Sequence, residues 1–225
     1  MKENPSLAVM LTHNDVTVRN AYEIFDQCKR SKAQFWGMKE EPLPLEEMKG
    51  LFSYMKRCGK TTALEVVAYT EDKCLEGAEM AVKCQCDLLM GTTFSDSVNE
   101  LCRKHGIRYM PFVGDVHGRP SVLDGSAREM LAEARRCLER GAYGVDLLGY
   151  RYTSAAPELI RAVVSGFRAP VYVAGSVDSV EKLKEIKAIA PWSFTIGGAF
   201  FERKFGETFQ EQIDKVCSYM EGSSE

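Results

Sequence analysis

The feature that most constrains the fold of this chain is a repeated alternation between short apolar runs and longer amphipathic stretches. Eight short runs, rich in apolar and β-branched residues, are each followed by a segment of helical length and spacing. This alternation is typical of a parallel sheet, because neighbouring parallel strands need a crossover connection that a helix usually provides. The predicted strands are Leu7–Leu11, Gln34–Met38, Ala63–Ala68, Leu88–Gly91, Arg108–Val113, Gly144–Leu148, Val171–Ala174 and Ser193–Ile196.

Eight strand–helix units in 225 residues predict an α/β fold in the form of a closed (β/α)8 TIM barrel. Closure gives every strand two neighbours, so that no sheet edge stays exposed. The alternative is an open doubly wound sheet, which usually has a glycine-rich turn after its first strand. Here that turn reads Thr-His-Asn-Asp, at positions 12–15. We therefore expect one TIM-barrel domain over residues 1–225, with a frayed tail over 221–225.

Charge and composition narrow the class of partner. The formal net charge is -3 and the pI about 5.8, which gives no broad basic surface for nucleic acid or membranes and favours a small-molecule partner. No apolar run is long enough to span a membrane and the first residues do not resemble a signal peptide, so we expect a cytoplasmic protein. Homo-oligomer formation is left open.

The eight cysteines include no CxxC pair and have no second cluster of cysteine or histidine beside them. This pattern gives no support for a closed zinc site and predicts buried thiols in a reducing compartment. We expect neither a metal nor an organic cofactor.

In a barrel of this kind the active site is built from the loops that follow the strands. Two such loops contain glycines: Gly175 and Ser176 follow the seventh strand, and Gly197 and Gly198 follow the eighth. Glycines allow backbone N–H groups to approach an anion, and barrels commonly bind a substrate phosphate at this place. The alternative is a pair of tight turns that need glycine for steric reasons alone. We predict a phosphate site here.

Lys39 and Glu65 stand at the ends of the second and third strands. A carboxylate inside the apolar run around Glu65 is costly to bury unless it is paired, and Lys39 on the neighbouring strand is a suitable partner. The two could form a buried structural ion pair, or a catalytic pair in which Glu65 is an acid/base and Lys39 binds an anion or forms a Schiff base. For Lys39 a pairing at the rim with Glu40 or Glu41 is a further alternative.

Asp115 and His117 lie in the long loop after the fifth strand, two residues apart. In extended backbone their side chains would point the same way, so the carboxylate could orient the imidazole for proton transfer, or both could ligate a metal. The alternative is a loop aspartate that caps a turn. We predict catalytic roles for both.

Asp146 and Arg151 bracket the end of the sixth strand. Arg151 could clamp an anionic group of the substrate, and a salt bridge between these two residues is the alternative. His13 and Asp15 could join His117 as metal ligands, but Asp15 is also a suitable cap for a helix that begins near Val16.

Residues from about Asp115 to Val216 resemble a known family. The segments concerned are Asp115–Gly125, Gly141–Asp146, Pro170–Val177 and Ile196–Glu202, with Phe205 downstream. They are similar to the C-terminal half of the phosphoribosylformimino isomerase of histidine biosynthesis, in the ribulose-phosphate-binding barrel superfamily. The resemblance implies that Asp115 is the catalytic aspartate of strand five. It also implies that Gly175, Ser176, Gly197 and Gly198 form a phosphate site.

The first half of the chain departs from that family. The family has a further catalytic aspartate after strand one and a second glycine-rich phosphate turn after strand three, where this chain continues Glu65–Tyr69 (Glu-Val-Val-Ala-Tyr). We therefore expect a small, singly phosphorylated substrate and an isomerase or epimerase that works by proton transfer. The alternatives are an aldolase or decarboxylase-type lyase on a phosphorylated carbonyl compound and a non-catalytic barrel that senses a phosphorylated ligand.

Overall fold

The computed structural model of the chain describes residues 4–222. Its main sheet has eight parallel strands, as predicted, and their ends differ from the predicted ones by three residues at most. The strands are β1 (Ser6–Met10), β2 (Phe35–Lys39), β3 (Thr61–Val66), β4 (Leu88–Gly91), β5 (Arg108–Met110), β6 (Val145–Leu147), β7 (Val171–Val173) and β8 (Ser193–Ile196).

The strands follow one another around a barrel. β3 pairs with β2 on one side and with β4 on the other, and β8 pairs with β1. Between β5 and β6 the barrel closes through a single bridge, Phe112 with Asp146, supported by the Asp146 N–H, which donates to the Pro111 carbonyl at 2.8 Å. The expected (β/α)8 TIM barrel is confirmed.

Helices cover the outside of the barrel. They are α1 (Ala21–Cys28), α2 (Leu45–Arg57), α3 (Glu71–Cys84), α4 (Asp96–Lys104), α5 (Ala127–Glu139), α6 (Ala156–Gly166), α7 (Val180–Ile189), α8 (Gly198–Phe201) and α9 (Phe209–Glu221). α5 and α9 begin with a capping box, in which a serine or threonine and a glutamate satisfy free backbone N–H groups reciprocally. Within residues 4–222 no helix combines the length and apolar character needed to cross a membrane.

The end of α9 alters one expectation. The helix continues through Glu221 and Gly222 caps it in the left-handed conformation, with φ of 80°. The first two residues of the predicted frayed tail are therefore ordered, and 223–225 lie outside the described residues.

Two of the loops after strands fold into small antiparallel hairpins. After β1, Thr12–His13 pairs with Val16–Thr17, so no helix begins near Val16 and Asp15 does not cap one. After β5, Asp115–His117 pairs with Val122–Asp124. Both hairpins stand at the carboxyl end of the barrel, where the substrate site is expected.

The apolar core has two layers. The larger layer fills the space between the sheet and the helices, and all eight cysteines are free, with seven of them buried. The smaller layer lies inside the barrel and consists of Ala8, Ala63, Leu88, Met90, Met110 and Tyr172. Towards the carboxyl end the interior becomes polar, because Lys39, Glu65 and Asp146 are buried there.

Candidate functional site

A cavity of about 760 Å3 opens at the carboxyl end of the barrel. Its wall is formed by the hairpin after β1, the ends of β2 and β3, the tip of the hairpin after β5, and the loops after β6, β7 and β8. This is the end of a TIM barrel at which active sites are found.

Lys39 lies at the floor of the cavity and is only 4% exposed. Its Nζ atom is 2.8 Å from Oδ1 of Asp15 and 3.5 Å from Oε1 of Glu65. Lys39 and Glu65 are register partners on β2 and β3, which is why their side chains meet. The pairing of Lys39 with Glu65 that the sequence suggested is therefore observed, and both side chains line the cavity. The alternative pairing of Lys39 with Glu40 or Glu41 is not observed, because these two carboxylates bind Arg119.

Asp15 was considered from the sequence only as a metal ligand or a helix cap, and the structure places it in the cluster with Lys39 and Arg151 instead. Asn14 and Asp15 form the two-residue turn of the first hairpin, with φ of 51° and 65°. Oδ1 of Asp15 accepts from Lys39 and from Arg151 Nη2, the latter at 3.1 Å, whereas Oδ2 is buried without a hydrogen-bond partner in residues 4–222. The available signal was the Asn-Asp pair between two short polar and β-branched runs, since such pairs favour hairpin turns.

The cluster is held together by its charges. Burial alone would lower the pKa of Lys39, but the charge of Glu65 and the hydrogen bond and charge of Asp15 outweigh it and raise that pKa. Burial would likewise raise the pKa of Asp15, but Lys39 and Arg151 outweigh it and lower that pKa. At neutral pH Lys39 therefore stays an ammonium ion and Asp15 a carboxylate.

The glycine turns after β7 and β8 form a further part of the cavity wall. Gly175 has φ of 109°, and a Cβ atom there would lie 3.2 Å from the backbone nitrogen of Arg151. The backbone N–H groups of Ser176 and Gly198 donate to no acceptor within residues 4–222. Both turns line the cavity, so these N–H groups are available to an anion.

The two glycines after β8 differ in their surroundings. A Cβ atom on Gly197 would lie 2.6 Å from Oγ1 of Thr12 and 2.9 Å from its carbonyl oxygen, so a steric requirement for glycine is present there. On Gly198 the nearest atom would be Cδ2 of His13 at 3.7 Å, an ordinary contact. Gly198 is therefore not required by local packing.

Arg151 and Asp146 do not form the salt bridge that was considered for them. Arg151 lines the cavity, where Nη2 donates to Asp15 and Nη1 to the Ser121 carbonyl at 3.2 Å. Asp146 is fully buried in the barrel and is not part of the cavity wall. The structure thus brings Arg151 to the site and leaves Asp146 in the interior.

Asp115 and His117 are not brought to the cavity. Their side chains are 73% and 52% exposed, and the closest approach between them is 3.7 Å. They point the same way, as their spacing predicted, but towards solvent and Asp124, whose Oδ2 lies 3.5 Å from His117. Pro120, Ser121 and Val122 of the same hairpin line the cavity instead. No group of three or more metal-binding His, Cys, Asp or Glu side chains is found among the residues that the structure describes.

No protein-family model matches the chain, and no curated protein sequence matches it. Solved structures, in contrast, match the chain over most of its length. The orotidine 5'-phosphate decarboxylase from Pyrococcus horikoshii OT3 aligns with a TM-score of 0.72 and 15% identity, over 96% of this chain and 99% of that one. The N-acetylmannosamine-6-phosphate 2-epimerase from Clostridium perfringens aligns with 0.65 and 15%, over 97% and 94%.

A regulatory protein has the same fold. The glycerol uptake operon antiterminator regulatory protein from Listeria monocytogenes str. 4b F2365 aligns with a TM-score of 0.58 and 14% identity, over 87% of this chain and 93% of that one. At such identities these likenesses show the fold alone. These likenesses do not confirm the resemblance of the C-terminal half to the isomerase of histidine biosynthesis, which stays a prediction.

Proposed function

We propose that this protein is an isomerase or epimerase that moves a proton within a small, singly phosphorylated carbonyl compound. The observation that carries the proposal is the buried ammonium of Lys39 between the carboxylates of Asp15 and Glu65, in a cavity that is also lined by the glycine turns with their free N–H groups. Two solved structures of this fold are named for phosphorylated substrates, which supports the phosphate part of the proposal.

In the proposed reaction Glu65 removes a proton from the carbon next to the substrate carbonyl. The electron pair of the broken C–H bond forms a C=C bond, and negative charge develops on the carbonyl oxygen, where the Lys39 ammonium stabilises it. In an isomerisation the protonated Glu65 returns the proton to the former carbonyl carbon, while the proton of the neighbouring hydroxyl moves to the enolate oxygen, so that a new carbonyl forms at the hydroxyl carbon. In an epimerisation a proton from water reaches the original carbon from the opposite face, the carbonyl re-forms, and Glu65 releases its proton to water.

In this proposal the phosphate binds at the glycine turns. The N–H groups of Ser176 and Gly198 donate to its oxygens, and Arg151 adds a positive charge beside the Gly175 turn. Binding through the phosphate holds the reacting carbons beside Lys39 and Glu65. This lowers the entropic part of the activation barrier, because the reacting groups are already in place.

Of the two enzyme classes, the charge state of Lys39 favours the isomerase. A Schiff-base lyase needs a neutral amine, whereas Asp15 and Glu65 raise the pKa of Lys39 and keep it protonated. A lyase that uses Lys39 only as a cation would share the same groups. The regulatory alternative predicts binding of the phosphorylated ligand with no turnover.

Binding is tested first, by calorimetry with inorganic phosphate and ribose 5-phosphate. Gly198→Asp places a carboxylate among the free N–H groups and is tolerated by the space there, so we expect loss of binding with the fold retained. The matched control is Gly50→Asp on α2, where a Cβ atom meets nothing within 4 Å. Equal affinities of the wild type and Gly198→Asp would refute the phosphate site.

Turnover is tested in deuterium oxide with a panel of aldose and ketose phosphates. We expect deuterium at the carbon next to the carbonyl, detected by NMR, and its loss in Glu65→Gln with phosphate binding unchanged. Cleavage products, or a borohydride-trapped adduct on Lys39, would select the lyase. Binding of every phosphate without exchange or cleavage would favour the regulatory protein.

A further inference from the structure

Below the cavity the barrel contains a carboxyl group that the proposed reaction does not use. Asp146 on β6 is fully buried, and neither carboxyl oxygen meets a hydrogen-bond donor in the required geometry within residues 4–222. The hydroxyl of Tyr172, its register partner on β7, is also buried without such a partner. The neighbouring strands β6 and β7 thus place unpaired polar groups side by side in the barrel interior.

The groups that face Asp146 come from four strands. They are Glu65 on β3 and Lys39 on β2, Tyr172 beside it, and the backbone of Gly91 on β4. Lys39 is already engaged by Asp15 and Glu65, so it makes no ion pair with Asp146. Among these groups, the negative charge of Glu65 has the largest effect on the pKa of Asp146, after burial itself.

An ionised carboxylate in this position would be very unfavourable. Burial of a charge without a partner costs several kcal/mol even after relaxation, and a second negative charge near Glu65 adds repulsion. Burial and the Glu65 charge both raise the pKa of Asp146, with a smaller opposing effect of the Gly91 backbone and of Lys39. A neutral carboxylic acid avoids both costs.

We propose that Asp146 is a positioning residue that keeps its proton beneath the cavity and so leaves Glu65 as the ionised carboxylate that faces Lys39. The two carboxyl groups then hold one proton between them at neutral pH, and the proton resides on the deeper one. Asp146 acts through Glu65 and does not touch the substrate, because it is outside the cavity wall. The inference takes the role of Glu65 from the proposed function, but its test needs no substrate.

The proton is observed directly by infrared spectroscopy at neutral pH. An ordinary aspartic acid is protonated in only about one molecule in a thousand at this pH, so a carbonyl band of a protonated acid identifies an unusual group. We expect such a band in the wild type, and we expect it to shift when the carboxyl carbons of aspartate, and not those of glutamate, are labelled with carbon-13. This measurement needs no variant and so does not depend on the folding of one.

Variants then assign the band. Asp146→Asn should lose it, Glu65→Gln should keep it, and the exposed Asp72→Asn should leave it unchanged as a control. A band that follows glutamate labelling and disappears in Glu65→Gln would place the proton on Glu65 and overturn the proposal. Absence of any band in the wild type would also overturn it.

A carbon-13 NMR measurement of the Glu65 carboxyl group over a range of pH tests whether Asp146 acts on Glu65 or only fills space in the barrel. As the pH rises and Asp146 loses its proton, the carbon-13 signal of the Glu65 carboxyl group should shift, and this shift should be absent in Asp146→Asn. A Glu65 signal with the same titration in both proteins would show that Asp146 does not act on Glu65. Failure of phosphate binding to the wild type would refute the proposed function and leave these spectra unaffected.

Discussion

The Nζ atom of Lys39 lies 2.8 Å from Oδ1 of Asp15, and the two side chains are 5% and 9% exposed. The contact joins the end of β2 to the hairpin that follows β1. The same oxygen of Asp15 also accepts from Arg151 at 3.1 Å, so one carboxylate oxygen serves two cations. Buried charges are tolerated only when they are paired, and each member of this cluster is therefore needed by the others.

Removal of the lysine should destabilise the fold. Lys39→Met leaves Asp15 and Glu65 buried with less compensation, and the loss of one partner of a buried pair costs about 3–5 kcal/mol. Urea denaturation measures this change. The control is Lys49→Met, which breaks an exposed pair with Glu46, and such pairs contribute about 0.5 kcal/mol or less. Equal stability of the two variants would contradict the structural importance of the cluster.

Acid should weaken the same cluster. Because the pKa of Asp15 is lowered in the folded state, its ionised form stabilises the fold above the unfolded-state value of about 3.9, and this contribution is lost as the pH falls towards the folded-state pKa. Thermal melts of the wild type and Asp15→Asn should therefore converge as the pH is lowered through this window. A difference in melting temperature that stays constant, or that widens in acid, would mean that Asp15 is not held by its cations.

The contribution of Asp146 to stability should depend on pH in the opposite direction to that of Asp15. Its folded-state pKa is raised above the unfolded value, so the neutral acid is favourable at low pH, and stability is lost progressively as the pH rises from the unfolded-state pKa towards the folded-state one. Asp146→Asn has no proton to lose. The stability of this variant relative to the wild type should therefore increase with pH. Denaturation of both proteins at a series of pH values measures this. A stability difference that stays constant or falls with pH would mean that Asp146 is ionised in the folded protein.

The barrel and the Lys39–Glu65 contact were both accessible from sequence. The eight apolar runs are separated by segments of helical length, which leaves few topologies other than a parallel barrel. Lys39 and Glu65 end consecutive strands, and consecutive strands in such a barrel are neighbours, so the contact follows from their positions alone.

The loops were less predictable. Asp15 reaches the cavity because residues 12–17 fold back as a hairpin, whereas the same Asn-Asp pair is also a good helix cap. Asp115 and His117 do share one face, but the direction of that face depends on how the hairpin sits over the barrel. That docking is set by distant contacts, such as the Tyr69 hydroxyl with the Gly118 carbonyl at 3.2 Å, which spacing in the sequence does not reveal.

The two glycines after β8 should respond differently to alanine. Gly197→Ala puts a methyl group 2.9 Å from the carbonyl oxygen of Thr12, and because backbone cannot move aside cheaply we expect a loss of about 1–3 kcal/mol. Gly198→Ala meets only ordinary contacts and should stay within about 0.5 kcal/mol of the wild type. Denaturation of both variants tests this, and similar losses would mean that the turn is packed differently.

Arg119 holds the hairpin after β5 against neighbouring loops of the barrel mouth. Its guanidinium binds the carboxylates of Glu40 and Glu41, and Nη2 also donates to the Val67 carbonyl at 3.1 Å. These contacts connect the hairpin to the loops after β2 and β3. Because Ser121 and Val122 of the hairpin line the cavity, the position of this hairpin bears on the shape of the site.

Arg119→Ala should therefore loosen the hairpin without unfolding the barrel. Partly exposed ion pairs contribute little to global stability, so we expect a change of about 1 kcal/mol or less, together with faster amide hydrogen exchange confined to residues 115–124 and the loops that Arg119 joins. Arg140→Ala is the matched control, since it breaks an exposed pair with Asp96 away from the cavity. Hydrogen exchange followed by mass spectrometry resolves these segments. Unchanged exchange over 115–124 would mean that the hairpin is held by its own strand pairing and by Tyr69, with Arg119 dispensable.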